Sequence, residues 1–280
     1  YSHSNVFVRW RSGISQSFYL SRPTGVRQGG VLSPVLFTIY VDSVITRLQS
    51  TGVGCIMGNQ YFGCIMYADD LVLLSVSVTE MQTMIDICVD ELRELDMVLN
   101  PGKCCIVRVG SRFDKACSAI KIENHDMPYC SSAKYLGVRL CAKKCLNVDL
   151  KSMKTKFYAS FTGLFRQVAT MKDNLTVFYL VSTYCKPYLL YGTECFTLTV
   201  TKSRSLCHTW LTAVSHIFNV SGTDVNFVNS VTCNEMFDAA LSVRRIRFLR
   251  QLLLHPNNSV LKYLWHTFAR NQLLLLNVNV

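Results

Sequence analysis

The chain has 280 residues, half of them hydrophobic, which is enough for one large domain or two smaller ones around a sizeable core. Its net charge is +11 with only 17% charged residues, so scarce acids matter as much as abundant Lys and Arg, and a polyanion is the natural partner. Thirteen cysteines, an odd number with several inside apolar runs (Cys64, Cys88, Cys105), argue against a disulfide-stapled mini-domain and for the reduced thiols of an intracellular protein.

Residues 14–20 carry a strand pattern and run into Arg22-Pro-Thr-Gly25-Val-Arg27-Gln28-Gly29-Gly30, a flexible polar loop. Ser33 and Pro34 then supply an N-cap and a proline for the first turn of a helix, with Leu36, Phe37, Tyr40, Val44, Ile45 and Leu48 at helical spacing and Thr51-Gly52 as its end. A glycine-rich loop feeding a helix N-terminus suits a phosphate, because backbone N–H groups come close where no Cβ intervenes and the helix dipole favours negative charge. Arg27 and Gln28 add a cation and a mixed donor and acceptor.

Next comes the most informative segment. Cys64-Ile-Met-Tyr67-Ala68-Asp69-Asp70-Leu71-Val-Leu-Leu sets two adjacent carboxylates between two apolar runs, which reads as a hairpin with the acidic pair at its tip. Neighbouring side chains of an extended strand point to opposite faces, so adjacent aspartates serve one site only where the strand turns. Grouped carboxylates without a Lys or Arg neighbour repel each other, and a divalent cation relieves that repulsion. Mg²⁺, which binds through one or two carboxylates together with substrate phosphates, suits the pattern, with Mn²⁺ as an alternative. The competing reading is a solvated Asp-Asp turn.

Ser77-Val-Thr-Glu80 reads as a capping box opening a helix whose apolar stripe is Met81, Met84, Ile85, Cys88, Leu92 and Leu95, ended by Asn100-Pro101-Gly102. Cys104–Val109 and Tyr135–Leu140 are short strand candidates. From about residue 146 the pattern turns helical, with stripes over residues 150–168 and 206–218. A third helix opens at the capping box Thr232-Cys-Asn-Glu235 and carries Arg244, Arg245, Arg247 and Arg250. Helical spacing puts Arg247 and Arg250 together and Arg245 elsewhere. The close groupings Cys104-Cys105, Cys141 with Cys145 and Cys207-His208 lack zinc-site spacing, and no apolar run approaches the ~20 residues of a membrane span. The chain starts at Tyr1 without a signal-peptide pattern and is expected to be a piece of something longer.

The segment Gly25-Val-Arg-Gln28-Gly29-Gly30-Val-Leu-Ser33-Pro34-Val-Leu-Phe37, taken with Tyr67-Ala68-Asp69-Asp70, resembles the palm of reverse transcriptases, most like those of non-LTR (LINE-type) retrotransposons. Leu99-Asn100-Pro-Gly-Lys103 is similar to the next palm motif and Lys134-Tyr135-Leu136-Gly137-Val138 to the primer grip. Pro187-Tyr-Leu-Leu-Tyr191-Gly192-Thr-Glu194 and the arginine helix resemble the helical region that follows. The resemblance covers nearly the whole chain. It implies an α+β fold, with an incomplete polymerase palm over residues 1–145 and an all-helical, thumb-like region over 146–280.

The activity implied is RNA-directed DNA polymerisation, in which deoxynucleotides join a DNA primer copied from an RNA template by two-metal phosphoryl transfer. By the same resemblance Asp69 and Asp70 ligate metal, and Arg27, Gln28, Gly29 and Gly30 meet the incoming nucleotide. Lys103 sits near the leaving pyrophosphate as a cation and candidate proton donor. Tyr67, Tyr135, Leu136, Gly137, Arg247 and Arg250 face primer and template, and the nucleus is the expected compartment. Against the family pattern, no Asp or Glu precedes Asp42, so the aspartate expected on an earlier palm strand is missing and the isolated chain is expected to have little or no activity. The other readings are a non-catalytic nucleic-acid-binding relic, an intron-encoded maturase, and a palm-type RNA polymerase.

Overall fold

The computed structural model describes residues 5–19, 29–168, 173–222, 224–225, 228, 237–255 and 258–275. They form helices with small antiparallel sheets, an α+β protein, and divide into two units. The first comprises residues 1–104 and 117–127, the second residues 105–116 and 128–280.

In the first unit, β1 (Asn5–Val6) pairs with β4 (Phe18–Tyr19) and β2 (Arg9–Trp10) with β3 (Gly13–Ile14). The predicted strand over 14–20 is therefore two short pieces of different ladders. Helix α1 (Ser33–Thr51) begins with Ser33 already inside the helix and buried, so the N-cap position falls to Leu32. Gly52, at φ 69°, ends the helix as expected, with its N–H on the Gln49 carbonyl. Only Val41, Val44 and Leu48 of its apolar residues are fully buried. Leu36 and Tyr40 of the expected stripe are about half exposed, at 48% and 51%.

Hairpin β5 (Ile56–Met57) with β6 (Gln60–Tyr61) is followed by β7 (Cys64–Tyr67) with β8 (Asp70–Leu73). Cys55 donates its N–H to the Leu74 carbonyl and Leu74 donates to Gly63, which ties the two hairpins together. Helix α2 (Val78–Glu94) starts after Ser77 as predicted, but the reciprocal capping bonds do not form. Ser75 Oγ instead lies 2.9 Å from Glu80 Oε2 and takes the Ser77 N–H. The helix stops at Glu94, because Asp96 turns into the left-handed region (φ 54°) and Met97 N–H returns to the Leu92 carbonyl. Asn100-Pro101-Gly102 therefore does not end it.

The core of this unit gathers Val44 and Leu48 of α1, Met84, Cys88 and Leu92 of α2, Cys64, Leu71 and Leu73 of the second hairpin, and Leu99. Those contacts set the height and tilt of the hairpin. A last ladder, β9 (Lys121–Ile122) with β10 (His125–Asp126), is fixed to α2 by Gln82, which both donates to and accepts from the Lys121 backbone.

The strand candidate Cys104–Val109, all but its first residue in the second unit, forms no named strand. Its ordered link is a bridge of Ile106 to Tyr129, with bonds to Pro128 and Cys130. Residues 135–140, read from sequence as one strand, straddle a tight turn between β11 (Ser132–Tyr135) and β12 (Val138–Cys141), and β13 (Asn147–Val148) completes a three-stranded sheet just past residue 146. Leu136 (φ 43°) and Gly137 (φ 82°) are the central residues, the double positive φ that suits a two-residue hairpin.

Helices α3 (Leu150–Val168) and α6 (Val200–Phe218) match their predicted stripes. Between them lie α4 (Asn174–Tyr184), which has no counterpart in the sequence reading, and α5 (Lys186–Leu190), at the start of the segment that resembles the family's helical region; α7 (Phe237–Gln251) is the arginine helix. Its expected capping box at Thr232–Glu235 lies outside the described residues. Phe157, Phe161, Val181, Leu189, Leu206, Trp210 and Val214 fill the core, with the Lys186 ammonium 5.1 Å from the Trp210 ring centroid. Among the described residues no cysteine is in a disulfide and no helix is long and apolar enough to cross a membrane.

Candidate active site

The acidic pair sits where the sequence placed it. Cys64 pairs with Leu73, Ile65 with Val72, Met66 with Leu71 and Tyr67 with Asp70, which leaves Ala68 and Asp69 as a two-residue turn. Ala68 takes φ 52°, a left-handed conformation that costs a residue with a Cβ about 1–2 kcal/mol. Alternation sends Cys64, Met66, Leu71 and Leu73 to the face that carries the α1–α2 core contacts, and Ile65, Tyr67, Asp70 and Val72 to the other. That other face is open, with Ile65 46% and Tyr67 63% exposed. Asp69 and Asp70 are both exposed, and the carboxylate of neither makes an ion pair or hydrogen bond among the described residues.

Two adjacent carboxylates without a cationic neighbour fit a hard divalent ion that keeps most of its waters. Among the described residues no group of three or more His, Cys, Asp or Glu comes together as a metal site.

The other sequence-predicted residues fall as follows. Arg27 and Gln28 lie outside the described residues. Gly29, at φ 79°, and Gly30 stand just before α1, and the Gly30 carbonyl accepts the Ser33 N–H at 3.2 Å. Lys103 is exposed on a 3₁₀ turn over Pro101–Lys103. Asn100 holds that turn by accepting the Gly102 N–H at 3.0 Å, and Leu99 anchors its base in the α1–α2 core. Tyr135, Leu136, Gly137, Arg247 and Arg250 belong to the second unit.

Within that unit, residues far apart in sequence hold the β11–β12 turn. The Tyr191 hydroxyl donates to the Leu136 carbonyl at 2.8 Å, and Lys156 Nζ reaches the Gly137 carbonyl at 3.5 Å. Gly192 (φ 71°) passes so close that a Cβ there would lie 2.8 Å from Val138 Cγ2. Two residues on, the Glu194 carboxylate takes Arg244 at 2.8 and 3.4 Å, while Arg245 donates to the Glu194 carbonyl and to Gln272. Burial lowers the Arg245 pKa from its usual value. Arg244 and Arg245 are therefore structural, and Arg247 and Arg250 are left exposed. Spacing could not reveal these contacts of Tyr191, Glu194 and Arg244, since their partners lie about 50 residues away, although all three residues fall in segments that carry the resemblance.

Residues 6–140 match the family model described as reverse transcriptase (RNA-dependent DNA polymerase). Three curated relatives are retrovirus-related Pol polyproteins of retrotransposable elements. The type-1 element R2 of Nasonia vitripennis is 34% identical over 41% of this chain and 12% of its own length. The type-2 element R2DM of Drosophila melanogaster is 29% identical over 46% of this chain and 13% of its own. A type-1 element R2 of Popillia japonica is 25% identical over 69% of this chain and 31% of its own. The chain thus spans less than a third of the length of these relatives. Residues 6–140 are therefore similar to the reverse transcriptases (RNA-dependent DNA polymerases), and the relatives matched are Pol polyproteins of R2 retrotransposable elements.

Proposed function

We propose that this chain carries part of the polymerase centre of an R2-like element, which extends a DNA primer on an RNA template with deoxynucleotides. The observation that carries the reading is the pair Asp69 and Asp70 at the tip of a propped hairpin, exposed and without a cationic partner among the described residues. A divalent ion held there would neutralise charge developing on the transferred phosphoryl group. The chain's own residues position the reactants. Gly29 and Gly30 leave the backbone open to a nucleotide, Lys103 offers a cation on a fixed turn, and Tyr67 presents an apolar face beside Asp70.

On the second unit the strained Leu136–Gly137 turn is the primer-holding element, and Tyr135 flanks it. Lys134 and Arg139 stand directly opposite each other across its strands, both exposed, and like charges so placed are relieved by a phosphate. Arg247 and Arg250 add a cationic helix face. The 146–280 region is read as thumb-like and synthesis as nuclear.

Two carboxylates on one hairpin hold a single ion loosely and do not fix two in line, and no Asp or Glu precedes Asp42. The isolated chain is therefore inactive in this reading, and a binding role alone is the second reading. The test extends the chain upstream with the corresponding segment of the Nasonia vitripennis relative and measures primer extension on RNA with Mg²⁺. Extension that Asp69→Asn abolishes supports the proposal. Extension that Asp69→Asn leaves intact, or robust synthesis by the 280 residues alone, overturns its respective half. A preference for ribonucleotides would assign the site to an RNA polymerase instead.

A further inference from the structure

The second unit contains a cationic loop that the polymerase reading does not use. Arg108 turns its guanidinium inward, donating to the carbonyls of Arg112 (2.6 Å) and Lys115 and lying 5.9 Å from the Tyr129 ring centroid. The Lys115 N–H returns to the Arg112 carbonyl at 3.2 Å, and Gly110 (φ 125°) donates to the Lys143 carbonyl at 3.0 Å. One arginine and one glycine thus pin the backbones of Arg112, Lys115 and Lys143 into a single frame.

The side chains of Arg112, Lys115, Lys143 and the adjoining Lys144 are all exposed, and none makes an ion pair among the described residues; Asp114 is the one acid in the two segments. Mutually repelling cations held on a fixed frame are at their most stable with a polyanion across them. A forked guanidinium spent on two carbonyls goes beyond what a merely solvated basic loop requires.

We infer that residues 108–115 and 143–144 form a second phosphodiester-binding surface, separate from the acidic hairpin, that grips a nucleic-acid backbone without reading its sequence. The inference rests on the reading of this chain as a nucleic-acid enzyme, and it names a contact that reading does not include. RNA and DNA share the chemistry, because the contact is to phosphate.

The test titrates the 280-residue chain with fluorescent single-stranded RNA, duplex DNA and an RNA–DNA hybrid across a salt series. Arg112→Gln/Lys115→Gln/Lys143→Gln/Lys144→Gln should weaken binding on the order of 10- to 100-fold near 0.1 M salt. It should also flatten the slope of log K against log salt by about 3 to 4 on duplex. Lys143→Gln/Lys144→Gln, which leaves the Arg108 frame untouched, should flatten it by about half as much. Arg108→Lys keeps the charge and removes the fork, so it should weaken binding several-fold at unchanged net charge.

A wild-type chain that binds steeply while the quadruple and double variants keep its slope overturns this surface and leaves the polymerase reading standing. A wild-type slope near zero overturns both. Arg108→Lys binding as tightly as wild type overturns the frame.

Discussion

Tyr61 offers a sharp test of how the acidic hairpin is supported. Its ring lies in the α1–α2 core beneath the hairpin, beside Gly63, where a Cβ would fall 2.5 Å from the Tyr61 ring and hydroxyl. Its hydroxyl oxygen is buried without a hydrogen-bond partner among the described residues. A buried hydroxyl left unmet costs roughly 1–3 kcal/mol, whereas the ring contacts survive in phenylalanine. Tyr61→Phe should therefore stabilise the chain by about 1 kcal/mol, raising the melting temperature by roughly 2 °C in calorimetry.

The same burial gives an alkaline signature. It pushes the Tyr61 phenol from 10.0 up to about 12, and the neighbouring thiols Cys64 and Cys88 from 9.0 to about 11 and about 12. The folded chain keeps these protons at pH values where the unfolded chain has lost them. Stability therefore falls as pH climbs from about 9 to 12, and Tyr61→Phe should remove the part of that fall between about 10 and 12. A variant less stable than wild type would refute the reasoning, because it would mean that the hydroxyl has found a partner, and an unchanged alkaline profile would mean that folding does not raise the Tyr61 pKa.

Three further outcomes follow from the same contacts. Glu194→Gln keeps the shape but removes the charge that Arg244 meets at 2.8 Å. Because the pair is partly exposed, it should lower stability by only about 1 kcal/mol in urea titrations, with the loss shrinking in high salt. Gly137→Ala forces a Cβ onto φ 82° with Tyr191 Cε1 at 3.2 Å, and should cost about 1–2 kcal/mol by thermal melting. Tyr191→Phe should loosen the β11–β12 turn, seen as faster amide exchange over residues 135–138, with a stability loss of about 0.5–1.5 kcal/mol.

The parts of the fold that were legible in the sequence are those where local pattern and tertiary context agree. The apolar runs around Asp69 and Asp70 gave the hairpin, and the stripes of α2, α3 and α6 gave their buried faces. Boundaries failed where a single backbone torsion decides them. Asp96 ends α2 by turning left-handed although nothing in its type demands it, and Leu136 takes φ 43° where its apolar neighbours read as a continuous strand. The candidate metal ligands were visible because their chemistry is local. Their supports were not, since Tyr191 reaches Leu136 and Arg244 reaches Glu194 only through the tertiary fold. Helix α4 escaped notice because it is apolar nearly all round and shows no stripe to read.

The central claim is that Asp69 and Asp70 together present a divalent-ion site at the tip of the β7–β8 hairpin. Titrating Mn²⁺ into the isotope-labelled chain and following paramagnetic broadening of backbone amide signals reads this directly. The account predicts broadening centred on residues 67–71, displaced by excess Mg²⁺ and lost in Asp69→Asn/Asp70→Asn. Broadening centred elsewhere, or persisting unchanged in that variant, would contradict it.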